Sequence, residues 1–260
     1  MAAKTDPLVH MGTITGGEAR DLLAANPVIL LPLGSHEDQG PHAPMGDYLL
    51  AEKMAELAAI RASQRGTRTL VAPVLPFGGL DWFAPMPGGI AITQGTLVAV
   101  LTEMVESLHR NGLTRLIVIN GHGGNVGPIA EVARTLYEQD RTLLPKIVGA
   151  EKAAEVSGHG ADPLTSLGLH LFPELMRPDL VPEAKPLQND PVLGLPFTGL
   201  GAASFEGAEV AMPNGYDEIY NAGVAKGDPR LSSEETGAAV TEQLTEICAR
   251  FIAHFAARVP

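Results

Sequence analysis

The stretch PVILLPLGSHEDQGPHAPMGDYLLAE, residues 27–52, decides the fold and carries much of the chemistry of this chain. Its apolar run, residues 28–33, stops at Gly34 and gives way to a polar loop that ends at Asp47, where a helical pattern of apolar residues begins. A short continuous apolar run of this kind predicts a strand buried on both faces, as in a parallel sheet. Such strands deliver polar loops to the carboxyl edge of the sheet, where α/β proteins build their sites.

Outward from this stretch, apolar runs alternate with helical patterns. Further strands are predicted at residues 69–75, 115–120 and 146–150, and helices at residues 16–25, 48–62, 96–111, 126–139, 164–176 and 234–257. This alternation predicts an α/β fold with a mostly parallel sheet covered by helices on both sides, in one domain over residues 1–260. Residues 177–223 show no clear period, and we interpret them as an excursion or a contact region between subunits. The predicted buried face of the last helix carries Val240, Leu244, Ile247, Phe251 and Phe255.

Composition excludes several classes of function. The 260 residues include 18 Lys and Arg against 30 Asp and Glu, a formal net charge of −12, which argues against binding to nucleic acid or to an anionic membrane. The single cysteine excludes an internal disulfide and a multi-cysteine metal site. No signal-peptide core is visible, and no apolar run approaches the roughly 20 residues of a membrane span, so we expect a cytoplasmic protein.

Three side chains with metal-binding groups are placed to meet at one edge of the sheet. Glu37 and Asp47 belong to the loop after the first strand, and His122 follows the strand that ends at residue 120. Because the carboxyl ends of parallel strands share an edge, these side chains predict a divalent metal site suited to Zn, Mn or Fe. A structural alternative stays open, in which Asp47 only caps its helix and Glu37 pairs with a base.

The other polar residues of these loops carry weaker signals. His36 points away from Glu37 in an extended segment and His42 lies in a tight turn, so structural roles are favoured for both. Ser35 lacks the spacing of a nucleophile elbow, and the Gly-rich segment after residue 120 lacks the Lys and Ser/Thr of a phosphate-binding loop. His159, in a Gly-flanked loop after a strand, is favoured as a proton-transfer residue or a further ligand.

A long Pro/Gly-rich segment follows the second strand and contains Trp82 and Phe83. It is too long and too apolar for a simple connector, so it is predicted to wall a pocket. The alternative is that both aromatic side chains pack in the core.

Two motifs resemble those of the creatininase (creatinine amidohydrolase) family. Residues 33–47, LGSHEDQGPHAPMGD, are similar to its first motif, and residues 120–125, NGHGGN, to its second. The resemblance extends over nearly the whole chain, through Pro76-Phe77-Gly78, Gly158-His159, Thr165-Ser166 and Gly227-Asp228-Pro229. It implies the family's single three-layer α/β/α domain, commonly in a homo-oligomer and often in a hexamer. The implied chemistry is metal-dependent hydrolysis of a C–N bond, typically in a cyclic or other non-peptide amide.

Matched by position, Glu37, Asp47 and His122 stand at family metal ligands, with the aspartate able to bridge two ions. Gln39 stands where the family usually has a histidine, and Gly124 where creatinine-cleaving members have a glutamate that helps hold the second ion. The turn before Asp47 is also one residue shorter than the common pattern. We therefore expect one firmly held ion and a second that is weak or absent, because an amide oxygen binds such ions less well than imidazole.

In the later motif, Leu164 stands where the family has a glutamate before Thr-Ser, although Asp162 lies two residues earlier. Whether Asp162 or His36 joins the site is left open by the sequence.

The resemblance implies a hydrolytic scheme. Backbone N–H groups of Gly123 and Gly124 would stabilise the oxyanion, and His159 would carry a proton to the leaving nitrogen. The small-molecule amide would contact Trp82, Phe83 and Asn125. Alternatives are a family member acting on a formamide, one that trims a peptide, and a non-catalytic binding or scaffold protein that keeps the fold.

Overall fold

The computed structural model describes residues 8–79, 86–139, 147–149, 160–186, 194–199, 202–211, 223–224 and 228–259. Its strands are β1 (Val28–Leu33), β2 (Thr69–Val71), β3 (Leu116–Asn120), β4 (Ile147–Gly149), β5 (Lys185–Pro186), β6 (Phe197–Gly199), β7 (Ala202–Phe205), β8 (Ala208–Ala211) and β9 (Gly223–Val224). Its α-helices are α1 (Gly16–Leu23), α2 (Tyr48–Gln64), α3 (Gln94–Arg110), α4 (Val126–Gln139), α5 (Leu164–Leu171) and α6 (Glu234–Ala256). None of these helices combines the length and apolarity needed to cross a membrane.

The central sheet places β1 and β3 side by side. Its strand order is β2-β1-β3-β4, and every neighbouring pair is parallel. The register pairs Leu33 with Asn120, and the Gly121 N–H donates to the Leu33 carbonyl at 2.8 Å. The loops that follow β1 and β3 therefore leave the same edge of the sheet from adjacent positions.

Alternate residues of the strands face two separate cores. Ile29, Leu31 and Leu33 of β1 pack in a cluster with side chains of α3 and α4. Val28 and Leu30 pack on the other face with α2 and α6, where α2 contributes alanines. Apolar residues on both faces account for the uninterrupted apolar run of β1. The three-layer α/β arrangement predicted from the sequence is confirmed.

Side-chain caps fix where several helices begin. Thr15 and Glu18 form a reciprocal capping box at α1, and the Thr93 and Ser233 side chains accept backbone N–H groups at the starts of α3 and α6. These hydroxyls satisfy donors that have no partner within their helix. Helix α3 begins at Gln94, two residues before the predicted start.

The predicted buried face of the last helix is confirmed at Phe255, which is 5% exposed, but is wrong at Ile247 and Phe251. Ile247 is 46% and Phe251 38% exposed, and the side of α6 that faces inward is instead rich in small residues. A Cβ added to Gly237 would collide with the Ser166 carbonyl, so α5 and α6 approach closely only because this position is glycine. The buried residues of α6 are Gly237, Thr241, Thr245, Ala249, Ile252 and Phe255.

Residues 177–223, which show no period in the sequence, contain short strands where they are described. Strands β6, β7 and β8 form an antiparallel sheet, while β5 pairs with β9 in parallel. None of these strands exceeds four residues. Strands this short contain too few alternations for a periodic pattern to be visible.

Candidate metal centre

The loop after β1 is closed by a backbone contact to Asp47. The Ser35 N–H donates to Asp47 Oδ1 at 2.7 Å, across a sequence separation of 12 residues. A Cβ on Gly34 would lie 2.8 Å from that oxygen and 2.4 Å from the Tyr48 Cα, so only glycine lets the strand end approach the start of α2. Asp47 occupies the N-cap position of α2, yet its side chain makes no capping hydrogen bond. Its carboxylate serves the loop and the cluster described next.

The structure brings Glu37, Asp47 and His122 into one buried cluster. One ligand atom from each side chain lies within 4.8 Å of the other two. His122 Nδ1 is 2.8 Å from Asp47 Oδ2 and 3.2 Å from Glu37 Oε1. The three residues are only 5%, 5% and 6% exposed. Within the described part of the chain, this is the group of His, Cys, Asp and Glu side chains arranged to hold an ion.

Burial and mutual contact set the protonation of this cluster. Burial raises the pKa of Asp47, and the nearby Glu37 carboxylate acts in the same direction against the opposing effect of His122. Burial alone would lower the pKa of His122, but the Asp47 and Glu37 carboxylates outweigh it and raise that pKa to about 9. At neutral pH the imidazole therefore carries a proton, and the cluster holds positive charge between two carboxylates.

A divalent cation fits this donor set. Two carboxylates balance the charge of one divalent ion, and neutral imidazole supplies a nitrogen ligand once its proton is released. Three protein ligands leave a coordination position open, which is the pattern of catalytic rather than purely structural zinc sites. Without a cation, two carboxylates at this depth are costly unless they are paired.

Buried amides hold the end of β3 and its following turn in place. Asn120 Nδ2 donates to the His122 carbonyl at 2.7 Å, and the His122 N–H donates to Asn120 Oδ1 at 3.2 Å. Asn125 Nδ2 donates to the Gly34 carbonyl at 3.0 Å, and the Gly79 N–H donates to Asn125 Oδ1 at 2.6 Å. Asn125, predicted to contact substrate, is 0% exposed and uses its amide to join the loops after β1 and β2.

The loop after β2 lies against the far side of the His122 ring. Gly79 has φ +83°, and a Cβ there would lie 2.7 Å from His122 Nε2. Gln94 Nε2 donates to the Gly79 carbonyl at 2.7 Å and to the Gly124 carbonyl at 3.3 Å. The ring is therefore positioned by carboxylates at Nδ1 and by glycine backbone at Nε2.

Gln39 is buried beside the cluster, at 5% exposure. Its Nε2 donates to Glu37 Oε1 at 3.4 Å, and its Oε1 accepts the Gly160 N–H at 3.3 Å. The Gln39 amide therefore joins the loop after β1 to the turn before α5. Gly160 was not singled out by the sequence, since a glycine after a histidine carries no distinctive signal.

The remaining histidines of the first loop have structural contacts. The His36 carbonyl accepts the Ile90 N–H at 3.0 Å, and its ring is tilted against Tyr48 at 5.8 Å between centroids. His42 is fully buried, with Nε2 3.0 Å from Thr165 Oγ1. Burial lowers the pKa of His42, which keeps the ring neutral.

Asp162 has separate partners. Its Oδ1 accepts from Ser166 Oγ at 2.5 Å, from Ser232 Oγ at 2.6 Å and from the Ser166 N–H at 3.2 Å. These bonds tie the start of α5 to the segment before α6. Neither Asp162 nor His36 belongs to the Glu37 cluster.

The other predicted site residues are placed only in part. Gly123 is exposed and Gly124 buried, in the 3-10 turn Gly123–Asn125 between β3 and α4. Trp82, Phe83 and His159 lie outside the described residues.

Comparison with known proteins identifies related chains. The family model Creatininase, described as creatinine amidohydrolase, matches residues 12–252. The mycofactocin precursor peptide peptidase of Mycobacterium ulcerans (strain Agy99) is 32% identical over 177 residues, which cover 66% of this chain and 68% of that protein. The 3-dehydro-scyllo-inosose hydrolase of Thermotoga maritima is 27% identical over 194 residues, or 68% of this chain and 61% of that protein.

A solved structure shares the fold. A creatininase in its Mn form superposes with a TM-score of 0.68 at 22% identity, covering 98% of this chain and 100% of that one. At this identity the likeness supports the α/β/α architecture alone.

Proposed function

Because this chain belongs to the creatininase family, whose model matches residues 12–252, we propose that it is a metal-dependent amidohydrolase. Its reaction is the hydrolysis of a C–N bond in a small cyclic or other non-peptide amide. The observation that carries the proposal is the convergence of Glu37, Asp47 and His122, with ligand atoms within 4.8 Å of one another.

The charge and burial of this cluster support a bound cation. Glu37 and Asp47 supply two negative charges at 5% exposure, and His122 Nδ1 faces both. When bound, a divalent ion such as Zn, Mn or Fe would lower the pKa of a water and polarise an amide carbonyl. The Ser35 N–H holds the Asp47 carboxylate in place, and Asn120 fixes the His122 backbone. These contacts orient the ligands before an ion arrives, which lowers the cost of binding.

In the proposed reaction, water oxygen adds to the carbonyl carbon, the C–N bond breaks, and the leaving nitrogen takes a proton. The N–H groups of Gly123 and Gly124 would stabilise the negative oxygen of the tetrahedral intermediate. His159 would carry the proton to nitrogen, and Trp82 and Phe83 would wall the substrate.

We propose a single firmly held ion. Gln39 supports this, because its Oε1 accepts the Gly160 N–H and its Nε2 faces Glu37, so no ligand atom of Gln39 is directed at the cluster. At Gly124 the chain has no side chain with which to hold a second ion.

The decisive experiment is metal analysis of the purified protein, followed by an activity panel of lactams, imides, hydantoins and formamides with and without chelator. We expect one ion per chain and hydrolysis that chelator abolishes and added Zn or Mn restores. Metal binding without turnover of any compound would favour the binding or scaffold alternative. Absence of metal binding would refute the proposal.

A peptide amide is the second candidate substrate. The relative from Mycobacterium ulcerans, 32% identical over 177 residues, bears the name of a peptide peptidase. Short peptides therefore belong in the same panel, assayed by the appearance of new amino groups. Chelator-sensitive cleavage of peptides with no turnover of the cyclic amides would select this second candidate.

A further inference from the structure

The Nε2 side of the His122 ring is closed by the loop after β2. Nε2 is buried and has no hydrogen-bond partner among the residues that the structure describes. A Cβ at Gly79 would lie 2.7 Å from Nε2 and 3.0 Å from Cδ2, so the Gly79 backbone stands against that edge of the ring. On the other side, Nδ1 is 2.8 Å from Asp47 Oδ2 and 3.2 Å from Glu37 Oε1. The imidazole is therefore enclosed between loop backbone and two carboxylates.

Gly79 is itself held by two side chains. Asn125 Oδ1 accepts the Gly79 N–H at 2.6 Å, and Gln94 Nε2 donates to the Gly79 carbonyl at 2.7 Å. Gln94 is the first residue of α3, and its Nε2 also lies 3.3 Å from the Gly124 carbonyl in the turn after His122. Because both polar groups of the Gly79 backbone have partners, the loop cannot move away from the ring without breaking a hydrogen bond.

This contact performs a task that a hydrogen bond usually performs. A histidine that binds a metal ordinarily donates its second ring N–H to a carboxylate or a carbonyl, which fixes the orientation of the ring. His122 Nε2 has no such partner in the described part of the chain, so the ring is held on this side by packing against Gly79.

The space on this side of the ring leaves no room for a side chain. Functional groups must be held within about 0.5 Å of their productive position. A Cβ at Gly79, 2.7 Å from Nε2, would be roughly 0.8 Å closer than an ordinary contact of about 3.5 Å. The ring or the loop would have to shift by more than the tolerance.

We propose that Gly79 is a positioning residue of the metal centre. Its backbone, held by Gln94 and Asn125, closes the Nε2 side of the His122 ring and presents Nδ1 to the ion. This role rests on the proposed metal-dependent function, and it specifies the nitrogen that binds and a residue that sets the affinity.

Two glycines with the same backbone geometry provide a matched test. Gly79 has φ +83° and Gly112 has φ +79°, but a Cβ at Gly112 would have no atom within 4 Å. Gly79→Ala and Gly112→Ala therefore impose similar backbone strain, and only Gly79→Ala displaces the ring. We expect the affinity for Zn²⁺, measured by competition with a chromogenic chelator, to fall by about 10- to 100-fold in Gly79→Ala and to stay unchanged in Gly112→Ala. Equal affinities in the two folded variants would overturn the proposal.

Urea unfolding of the metal-free variants separates positioning from a merely structural role. A structural role would lower the urea midpoint and leave the affinity unchanged, because nearly all chains stay folded in buffer and unfolding competes little with metal binding.

A second pair of variants serves where Gly79→Ala does not fold. Gln94→Ala removes the donor to the Gly79 carbonyl, and Asn111→Ala removes a comparable bond at the other end of α3, from Asn111 Nδ2 to the Ser107 carbonyl at 2.8 Å. We expect weaker Zn²⁺ binding in Gln94→Ala, by about 10-fold, and unchanged binding in Asn111→Ala. Unchanged affinity in Gln94→Ala would contradict the role of this bond in positioning.

The bound nitrogen is identified directly by NMR. In Zn²⁺-loaded protein labelled with ¹⁵N-histidine, two-bond ¹H–¹⁵N correlation spectra distinguish protonated, unprotonated and metal-bound ring nitrogens. The His122 signals are those missing from His122→Ala, and we expect a metal-bound Nδ1 and a protonated Nε2. An ion on Nε2 would overturn the proposal.

Failure of the proposed function is distinguishable from failure of this inference. Zn²⁺ bound through Nδ1 and weakened in Gly79→Ala, without turnover of any amide, would support the inference while the hydrolase proposal fails. Chelator-sensitive turnover with an ion on Nε2, or with unchanged affinity in Gly79→Ala, would overturn the inference alone. A protein that binds neither Zn²⁺ nor Mn²⁺ would overturn both.

Discussion

Asp47 and Asp162, two acidic residues in loops near the candidate metal centre, use their carboxylates differently. Asp47 and Asp162 both precede a helix by one or two residues, in loops that meet through the Gln39 contact to Gly160. Asp47 directs its carboxylate to His122 and to the Ser35 N–H. Asp162 Oδ1 instead accepts hydrogen bonds from the Ser166 and Ser232 hydroxyls. Serine hydroxyls therefore hold Asp162 at the start of α5, whereas Asp47 contacts the Ser35 N–H and His122 and is a candidate metal ligand.

The largest effect is expected at the histidine that faces Asp47. His122→Ala should abolish metal retention, because it removes the nitrogen ligand and the group that pairs both carboxylates. Losing several kcal/mol of charge stabilisation corresponds to a rate loss of about 1,000-fold or more. Metal content and kcat/KM measure it, with the exposed His254→Ala as the matched control. Full activity of His122→Ala would contradict the proposal that the Glu37, Asp47 and His122 cluster takes part in hydrolysis.

The comparison itself is tested by the same substitution at both aspartates. Asp47→Asn should lose the metal and most activity, because it removes a charge that balances the ion. Asp162→Asn should keep one ion per chain but lower the free energy of unfolding by about 1–3 kcal/mol, since charged hydrogen bonds to serine are weakened. Metal analysis and urea unfolding separate the two outcomes. An Asp162→Asn protein that folds normally but binds no metal would contradict the assignment of Asp162 to a structural role.

A third pair of substitutions tests whether added ligands create a site for a second metal ion. Gln39→His combined with Gly124→Glu supplies an imidazole and a carboxylate at the two positions where the family resemblance places ligands of a second ion, so metal content should rise from one ion per chain toward two. Gln39→Leu, which adds no ligand, is the control. Two ions at full occupancy in the unchanged protein would refute the single-ion proposal.

The smallest expected effect is on the pH dependence of the free energy of unfolding, through His42. This buried, neutral histidine of the loop after β1 contacts Thr165 of α5. Burial lowers its pKa below the ordinary value of 6.5, so its contribution to stability is present above pH 6.5 and is lost as pH falls through the lowered pKa. The free energy of unfolding should therefore decrease between about pH 7.5 and about pH 5.5, and less steeply in His42→Gln. An identical pH dependence in the two proteins would contradict this assignment.

The sequence predicts the sheet and its edge well because these depend on local patterns. The apolar run of β1 ends at Gly34, and the observed strand, Val28–Leu33, matches it. The shared carboxyl ends of parallel strands predict Glu37, Asp47 and His122 at one edge, and the structure brings these side chains together. The centre's identity as a metal site stays a prediction.

Contacts between residues far apart in the sequence cannot be predicted from local patterns. Helical periodicity places Ile247, Phe251 and Phe255 on the inward face of α6, but of these only Phe255 is buried. Gly237 allows the close approach of α5, and Ile247 and Phe251 are exposed. The fate of Asp162 likewise depends on Ser232, 70 residues away. Hydrophobic periodicity contains no information on such pairings.

The buried amide of Asn125 links assembly of the centre to completion of the fold. It joins the Gly34 carbonyl, 91 residues away, to the Gly79 N–H, 46 residues away, across the ends of β1, β2 and β3. These groups can meet only after the three strands have paired, because no local segment contains them all. Uptake of the proposed ion should therefore appear late in refolding, after the sheet is complete.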